Sequence, residues 1–168
     1  MPNWCTNELI VSGEIEEMDK WRMALTNDES IEPTLDFNKI VPEPRWEEDS
    51  QDWYQWRIDN WGTKWNANDV DTNNDLNEIL YHFDTAWGPP IEFVETAAKK
   101  FPNLYFQIAF YEEGCCFAGM NEYKDGELTN HEIHNGIVEM NEFVADRFDY
   151  EIYSEEELQD MLEEEEEK

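Results

Sequence analysis

Residues 103–113, NLYFQIAFYEE, decide the fold of this chain, because they form a nearly continuous apolar run. A run of this length predicts a strand near the centre of a sheet. Immediately before it, PPIEFVETAAKKF (89–101) predicts a helix that begins at prolines and has Phe93, Ala97 and Phe101 spaced by four. The two segments therefore predict a helix followed by a central strand.

The flanking segments extend this unit in both directions. Upstream, NELIVSG (7–13) predicts a short strand, and EIEEMDKWRMALTN (14–27) predicts a helix with acids in its first turns. DSQDWYQWRIDNW (49–61) predicts an inserted helix. Downstream, CCFAGMNEYKDGELTNHEI (115–133) predicts a hairpin that turns at Asp125-Gly126.

Two further strands are predicted in between, because TKWNANDVD (63–71) and EILYHFDTAW (78–87) flank the polar loop TNNDLN. The resulting element order predicts an α+β, ferredoxin-like (split βαβ) fold. In this fold an antiparallel sheet carries helices on one face, here with an extra inserted helix and a C-terminal hairpin plus an acidic helix. We assign residues 1–135 to the ferredoxin-like domain and residues 136–168 to an acidic, partly helical C-terminal extension.

The charge of the chain is strongly one-sided, with 42 Asp and Glu against 11 Lys and Arg and a formal net charge of −31. A globule of this length is about 40 Å across, and B-DNA of that length carries about 24 phosphate charges. Solubility requires a net charge of only about 2–8 in magnitude. The surplus therefore excludes nucleic acid and anionic membranes as direct ligands. It indicates a basic partner, or a host rich in acidic proteins such as a halophile.

Length and cysteine content indicate an intracellular protein. The 168 residues fit a domain with an ordinary core, and the three cysteines, two of them adjacent, do not form a disulfide framework. The N-terminus MPNWCTNELIV lacks the basic and apolar regions of a signal peptide, and no segment approaches the ~18 apolar residues of a membrane span. We expect a soluble protein in the cytoplasm of the host cell.

Several multi-residue motifs occur along the chain: MPNWCTNELIVSG, F-x-KIVPEP, WGTKWNA, F-x-TAWGPP, FP-x-L-x-F and Y-E-E-G-x-x-FAG. In these motifs and their order the chain resembles the ferredoxin-like-domain family named after YubB, which is found on bacteriophages and conjugative plasmids. The resemblance runs from Met1 to about Gly126, and the segment beyond Asn135 is expected to depart from it. It implies a ferredoxin-like fold and a mobile-element origin, and it carries over no catalytic residues.

The most acidic segment is 125–168, with 17 acids and two basic residues, Arg147 and Lys168. Within it, SEEELQDMLEEEEEK begins with Ser154 and Glu157 at capping-box positions and predicts a short amphipathic helix. The alternative interpretation is a solvated, frayed acidic end. The predicted partner-binding residues are Asp125, Glu127, Glu132, Glu139, Glu142, Asp146, Asp149, Glu151, Glu155, Glu156, Glu157 and Asp160.

Five tryptophans near the middle of the chain form a second candidate site: Trp53, Trp56, Trp61, Trp65 and Trp87. They are either core residues or the lining of an aromatic pocket. If TKWNAND is a strand, Trp65 shares the less polar face with Thr63 and Ala67 and is expected to be buried in the sheet core. A pocket lined by tryptophan and rimmed by acids would favour a cationic ligand through cation–π contact.

No motif predicts catalysis, a metal or a cofactor. Asp69, Asp71, Asn73 and Asp75 alternate as at the start of an EF-hand loop. The similarity fails further on, because Asn74 replaces the turn glycine and Leu80 replaces the bidentate glutamate.

The remaining candidates are two pairs of side chains. His131 and His134 would point apart on a strand and only roughly together on a helix. No Cys or carboxylate accompanies them at a fixed ligand spacing, so a zinc site is not predicted. Cys115 and Cys116 lack a histidine at a spacing that is diagnostic of a catalytic pair.

Two functions fit these observations. The first is a non-catalytic phage or plasmid inhibitor that imitates nucleic acid and binds the basic groove of a host defence protein, such as a restriction or CRISPR effector. The second is a small-ligand-binding or enzymatic domain with a tryptophan-lined pocket, in which the acidity is host adaptation.

Overall fold

The computed structural model describes residues 3–28, 31–48 and 50–166. Met1 and Pro2 of the first motif and Glu167 and Lys168 of the acidic tail lie outside the described residues. The strands are β1 (Trp4–Ser12), β2 (Asn68–Asn74), β3 (Glu78–Ala86), β4 (Tyr105–Glu112), β5 (Phe117–Lys124) and β6 (Glu127–Asn135). The helices are α1 (Ile15–Thr26), α2 (Phe37–Ile40), α3 (Asp52–Trp61), α4 (Ile91–Lys100), α5 (Ile137–Phe148) and α6 (Glu155–Glu166).

The strands form one antiparallel sheet in the order β2-β3-β1-β4-β5-β6. Its first four strands, with α1 and α4 as the connecting helices, have the ferredoxin-like order, so the predicted fold class is confirmed. The predicted terminal hairpin is β5–β6, which turns at Asp125 and Gly126 with φ of 53° and 77°. Positive φ at both positions is what a two-residue hairpin turn requires.

The main core lies on one side of the sheet, which we call the first face. Leu9, Phe106 and Ile108 point to this face and are completely buried. Trp21 of α1 and Phe93 of α4 pack against them. The apolar run that predicted a central strand is thus β4, which pairs with β1 on one side and β5 on the other.

The segment between α1 and β2 differs from the predicted strand at 63–71, because β2 begins only at Asn68. Gly62 ends α3 with φ 81°. The Thr63 hydroxyl then donates to the carbonyl of Ala86 at 3.0 Å, and the Asn66 side chain accepts from the amide of Phe37 at 2.9 Å. The first bond ties this segment to the end of β3 and the second ties it to α2, so residues 62–67 are held beside the sheet without pairing in it.

The opposite side of the sheet, the second face, is covered in part by α5. In the part of the chain that the structure describes, no helix combines the length and apolar character that crossing a membrane would need.

Candidate functional site

Helix α5 packs on the second face over β4 and β5. Its buried residues Met140 and Val144 form a small core with Ala118, against which Tyr111 packs. Tyr111 and Ala118 are opposite each other in the β4–β5 register and alternate with first-face residues. This helix is not among the elements predicted from the sequence, although the spacing of Met140 and Val144 is helical.

Arg147 connects the end of α5 to the sheet. Its guanidinium pairs with the Glu8 carboxylate of β1 and donates to the Gln107 side-chain oxygen of β4 at 2.8 Å. Gln107 in turn donates to Glu122 at 2.8 Å. Glu8 is only 6% exposed, so its carboxylate depends on this cation. Arg147 therefore ties α5 to the sheet, and its side chain, which is 24% exposed, also lines the cavity beside this helix.

An acidic groove lies between α5 and β6. Glu139, Glu142 and Asp146 recur at spacings of three and four and so share one side of α5. Together with Glu132 of β6 they line a cavity of about 450 Å³. The tertiary structure thus brings four of the twelve predicted partner-binding acids into one groove.

His134 stands in this groove among the acids. Its ring stacks on Phe143 with centroids 4.8 Å apart, and its Nε2 lies 3.7 Å from a carboxylate oxygen of Glu132. Among the described residues, this buried nitrogen has no hydrogen-bond partner. The aromatic stack makes one wall of the groove apolar, and Met120 and Arg147 complete the lining beside the four acids.

Helix α6 confirms the predicted capping box. The Ser154 amide donates to the Glu157 carboxylate at 2.9 Å, and the Glu157 amide donates back to the Ser154 hydroxyl at 3.4 Å. Hydrogen bonds from the Ser154 backbone and side chain lower the pKa of Glu157. Leu158 is partly buried near Val138, whereas Leu162 is 41% exposed. The apolar side of α6 is therefore only partly covered within the described chain.

Eleven of the twelve predicted partner-binding acids are exposed, and Glu132 is partly buried. Residues 125–168 hold 17 acids and 2 cations, a formal charge of −15, whereas the preceding 124 residues carry the remaining −16. The acids are therefore concentrated towards the hairpin, α5 and α6, which together we call the acidic surface. Partner binding by these residues stays a prediction.

The five tryptophans do not form one cluster. Trp61 is 1% exposed, and its indole donates to the carbonyl of Val41 at 2.9 Å. Trp56 packs on Trp61 at 5.6 Å, and the Arg57 guanidinium lies 5.0 Å from the Trp53 ring and 5.3 Å from the Trp61 ring. This first group packs at the edge of the core, and Arg57 occupies the position that a cationic ligand would take over the rings.

The second group contains Trp65 and Trp87 around Lys64. The Lys64 ammonium lies 4.9 Å and 5.0 Å from these two ring centroids, and Trp4 packs on Trp65 at 6.0 Å. The expectation that Trp65 is buried in the sheet core is wrong, since Trp65 is partly exposed in the turn before β2. Trp87 is 47% exposed. Ligand binding by either group stays a prediction.

Metal-binding chemistry finds little support in the arrangement of side chains. Across residues 3–28, 31–48 and 50–166, no three His, Cys, Asp or Glu side chains could hold a metal ion. Asp71 and Asn73 belong to β2, where they pair with His82 and Leu80 of β3. An extended strand of this kind does not wrap around calcium as an EF-hand loop does.

Two of the three cysteine thiols, Cys5 and Cys115, have a raised pKa. Burial raises the pKa of the Cys5 thiol, and a hydrogen bond with Glu112 raises that of Cys115. Both shifts favour the unreactive thiol over the thiolate.

These features define the class of protein: an α+β protein with a ferredoxin-like sheet, extended by a hairpin and by acidic helices. The profile of the family described as "ferredoxin-like domain in Api92-like protein" matches residues 60–167, which is more than half of the 168 residues. The chain belongs to this family. The match extends past Asn135 and includes α5 and α6. The division into two parts at residue 135 stays a prediction.

The crystal structure of a protein api92 from Yersinia pseudotuberculosis is similar, with a TM-score of 0.63 and 9% sequence identity. The similarity covers 81% of this chain and 99% of that chain. At this identity it supports the fold alone. No curated protein matches the chain.

Proposed function

We propose that this protein is a non-catalytic inhibitor whose acidic surface binds the basic groove of a partner protein. The observation that carries the proposal is the arrangement of four acids around one groove: Glu132 on β6, and Glu139, Glu142 and Asp146 on α5, the helix that Arg147 anchors to the sheet. A fixed array of like charges lowers the conformational entropy lost on binding. It also accelerates encounter with a basic partner.

The spacing of these acids is compatible with nucleic-acid mimicry. Seven residues separate Glu139 from Asp146, an axial rise of about 10.5 Å along an α-helix. One strand of B-DNA places a phosphate about every 3.4 Å along its axis, and so about three over the same distance. The three acids of α5 therefore approximate the charge density of one DNA strand. This supports a partner that normally binds DNA or RNA.

The resemblance to the phage and plasmid family named after YubB adds a biological setting. A mobile element benefits from inhibiting a host defence protein, and restriction and CRISPR effectors carry basic nucleic-acid grooves. We therefore propose a mobile-element origin and a defence effector as the partner, with both proteins in the host cytoplasm.

The alternative function is a small-ligand-binding or enzymatic domain with a tryptophan pocket, in which the acidity is host adaptation. It has weaker support, because the five tryptophans divide between two places and each group already contacts Arg57 or Lys64.

The test is competition with labelled duplex DNA for a basic effector captured from host lysate. The variant Glu139→Gln/Glu142→Gln/Asp146→Asn removes three charges from the groove. The control Glu14→Gln/Glu47→Gln/Glu48→Gln removes three exposed charges elsewhere. We expect the groove variant to need at least a tenfold higher concentration to displace the duplex, and the control less than a twofold higher one. We also expect displacement by the wild-type protein to weaken with salt. Equal behaviour of the two variants, or indifference to ionic strength, would contradict the proposal.

A further inference from the structure

Strand β6 is an edge of the sheet, and its backbone hydrogen bonds follow from its register. The amide of Gly136 donates to the carbonyl of Cys116 at 2.9 Å, which extends the β5–β6 ladder beyond the strand. Hydrogen-bonded pairs alternate along an antiparallel ladder, so the next residues bonded to β5 are His134 and Glu132. The N–H and C=O groups of Asn135, Ile133 and His131 consequently point away from β5.

These outward groups form a regular and exposed edge. Pairing between β5 and β6 is continuous from Phe117 with Asn135 to Glu122 with Asn130, and it becomes irregular only near the hairpin turn. Ile133 is 46% exposed. The other edge, β2, is interrupted by a register shift after Asn68, a device that discourages pairing with another strand.

The first face beside β6 is apolar. A cavity of about 260 Å³ lies there, and its apolar walls include Ile91, Phe110, Phe117 and Ile133. His131 also lines it, with Nδ1 2.6 Å from the Asn121 side-chain oxygen. A side chain that enters here from a neighbouring strand would be an apolar one.

The second face beside β6 is acidic, because Glu132 points into the groove with Glu139, Glu142 and Asp146. The two sides of one edge strand therefore favour opposite chemistries. Side chains of an added strand alternate between the faces with a period of two.

We propose that β6 binds an extended segment of the partner by strand addition, and that this segment alternates apolar and basic residues. Its apolar side chains pack beside Ile133 on the first face, and its Lys or Arg side chains meet Glu132 and the acids of α5. Backbone bonds to His131, Ile133 and Asn135 provide affinity, and the alternation provides specificity. The inference rests on the proposed function and narrows the partner to one with such a segment near its basic groove.

The test uses two eight-residue peptides of equal composition, one alternating valine and lysine and one with four valines followed by four lysines. We expect the alternating peptide to bind at least tenfold more tightly. We also expect it to slow hydrogen exchange at the amides of His131, Ile133 and Asn135. The variant Ile133→Pro removes an outward N–H and leaves the β5–β6 ladder bonds in place. It should abolish the preference for the alternating peptide, whereas Ile133→Ala, which keeps the N–H, should retain most of it.

If Ile133→Pro does not fold, the valines of the alternating peptide can be N-methylated, which removes their N–H donors to β6. This peptide should likewise lose its preferential binding. Equal binding of the two peptides, or unchanged binding to Ile133→Pro, would overturn strand addition. Salt-dependent binding of both peptides would then leave the acidic-surface proposal standing. If neither peptide binds, both proposals fail.

Discussion

Replacement of Arg147 by methionine tests whether α5 is held on the sheet by charge. The change removes the cation paired with Glu8 and a 2.8 Å hydrogen bond to Gln107. A buried carboxylate that loses its cation costs about 3–5 kcal/mol. The Arg147 side chain is 24% exposed, and a ring nitrogen of His82 lies 3.8 Å from the other Glu8 oxygen. We therefore expect the lower end, a loss of about 3 kcal/mol in the free energy of unfolding.

The measurement is urea unfolding followed by tryptophan fluorescence. With an m-value of 2–3 kcal/mol per M, the midpoint should fall by about 1 M. Arg45→Met changes the net charge equally at an exposed position and should stay within about 0.5 kcal/mol of the wild type.

A double-mutant cycle with Glu8→Gln isolates the pair. The two changes together should cost less than the sum of the single changes by about 1–3 kcal/mol. Additive costs, or a loss below about 1 kcal/mol for Arg147→Met, would refute the view that this ion pair anchors α5.

Three further predictions concern the remaining structure. Gly62→Ala should lower the melting temperature in calorimetry by several degrees, because φ is 81° and a methyl group would lie 3.1 Å from the backbone nitrogen of Ile91 and 3.2 Å from the carbonyl oxygen of Pro89. An unchanged melting temperature would argue against this turn. Glu43→Gln should destabilise the protein by about 2 kcal/mol at pH 7. Partial burial acts to raise the pKa of Glu43, but hydrogen bonds from Arg57 and an indole hold it below its usual range. The stabilisation is thus complete above the ordinary glutamate pKa of about 4.3, and it is lost as the pH falls through the lower pKa of Glu43 in the folded protein. The denaturation curves of the two proteins should therefore converge in acid. A difference in stability that stays constant with pH would contradict the pairing. Ser154→Ala should weaken α6 by about 1 kcal/mol and speed hydrogen exchange in that helix. Global melting should change little, because Leu158 is only partly buried. Unaltered exchange in α6 would show that the cap does not stabilise the helix.

Much of the fold could be predicted from local patterns. The apolar run at 103–113 became β4, and the helix before it became α4, because burial enforces periodicity on the sequence. The turn at Asp125-Gly126 and the cap formed by Ser154 and Glu157 were confirmed because their geometry depends on a few adjacent residues.

The departures from prediction have tertiary causes. The sequence predicted a strand at 63–71 and a loop from Thr72, whereas β2 runs from Asn68 to Asn74. Its polar residues are extended through pairing with β3, which propensity does not reveal. Helix α5 was not predicted, because its acidic residues obscure the apolar periodicity, although Met140 and Val144 have the spacing of a buried helix side. Trp65 was misplaced because its segment is tied to the inserted helices by side-chain bonds from Asn66.

The sequence by itself determined the excess of negative charge, its concentration after residue 124, and the order of the strands with α1, α3, α4 and α6. Only the tertiary structure decided where the acids meet, because Glu132 and the acids of α5 converge only once α5 packs on the second face. It also decided that Arg147 of α5 pairs with Glu8 of the first strand. Burial and Coulomb attraction bring Glu8 and Arg147 together from distant parts of the chain, and local sequence spacing does not predict such a contact.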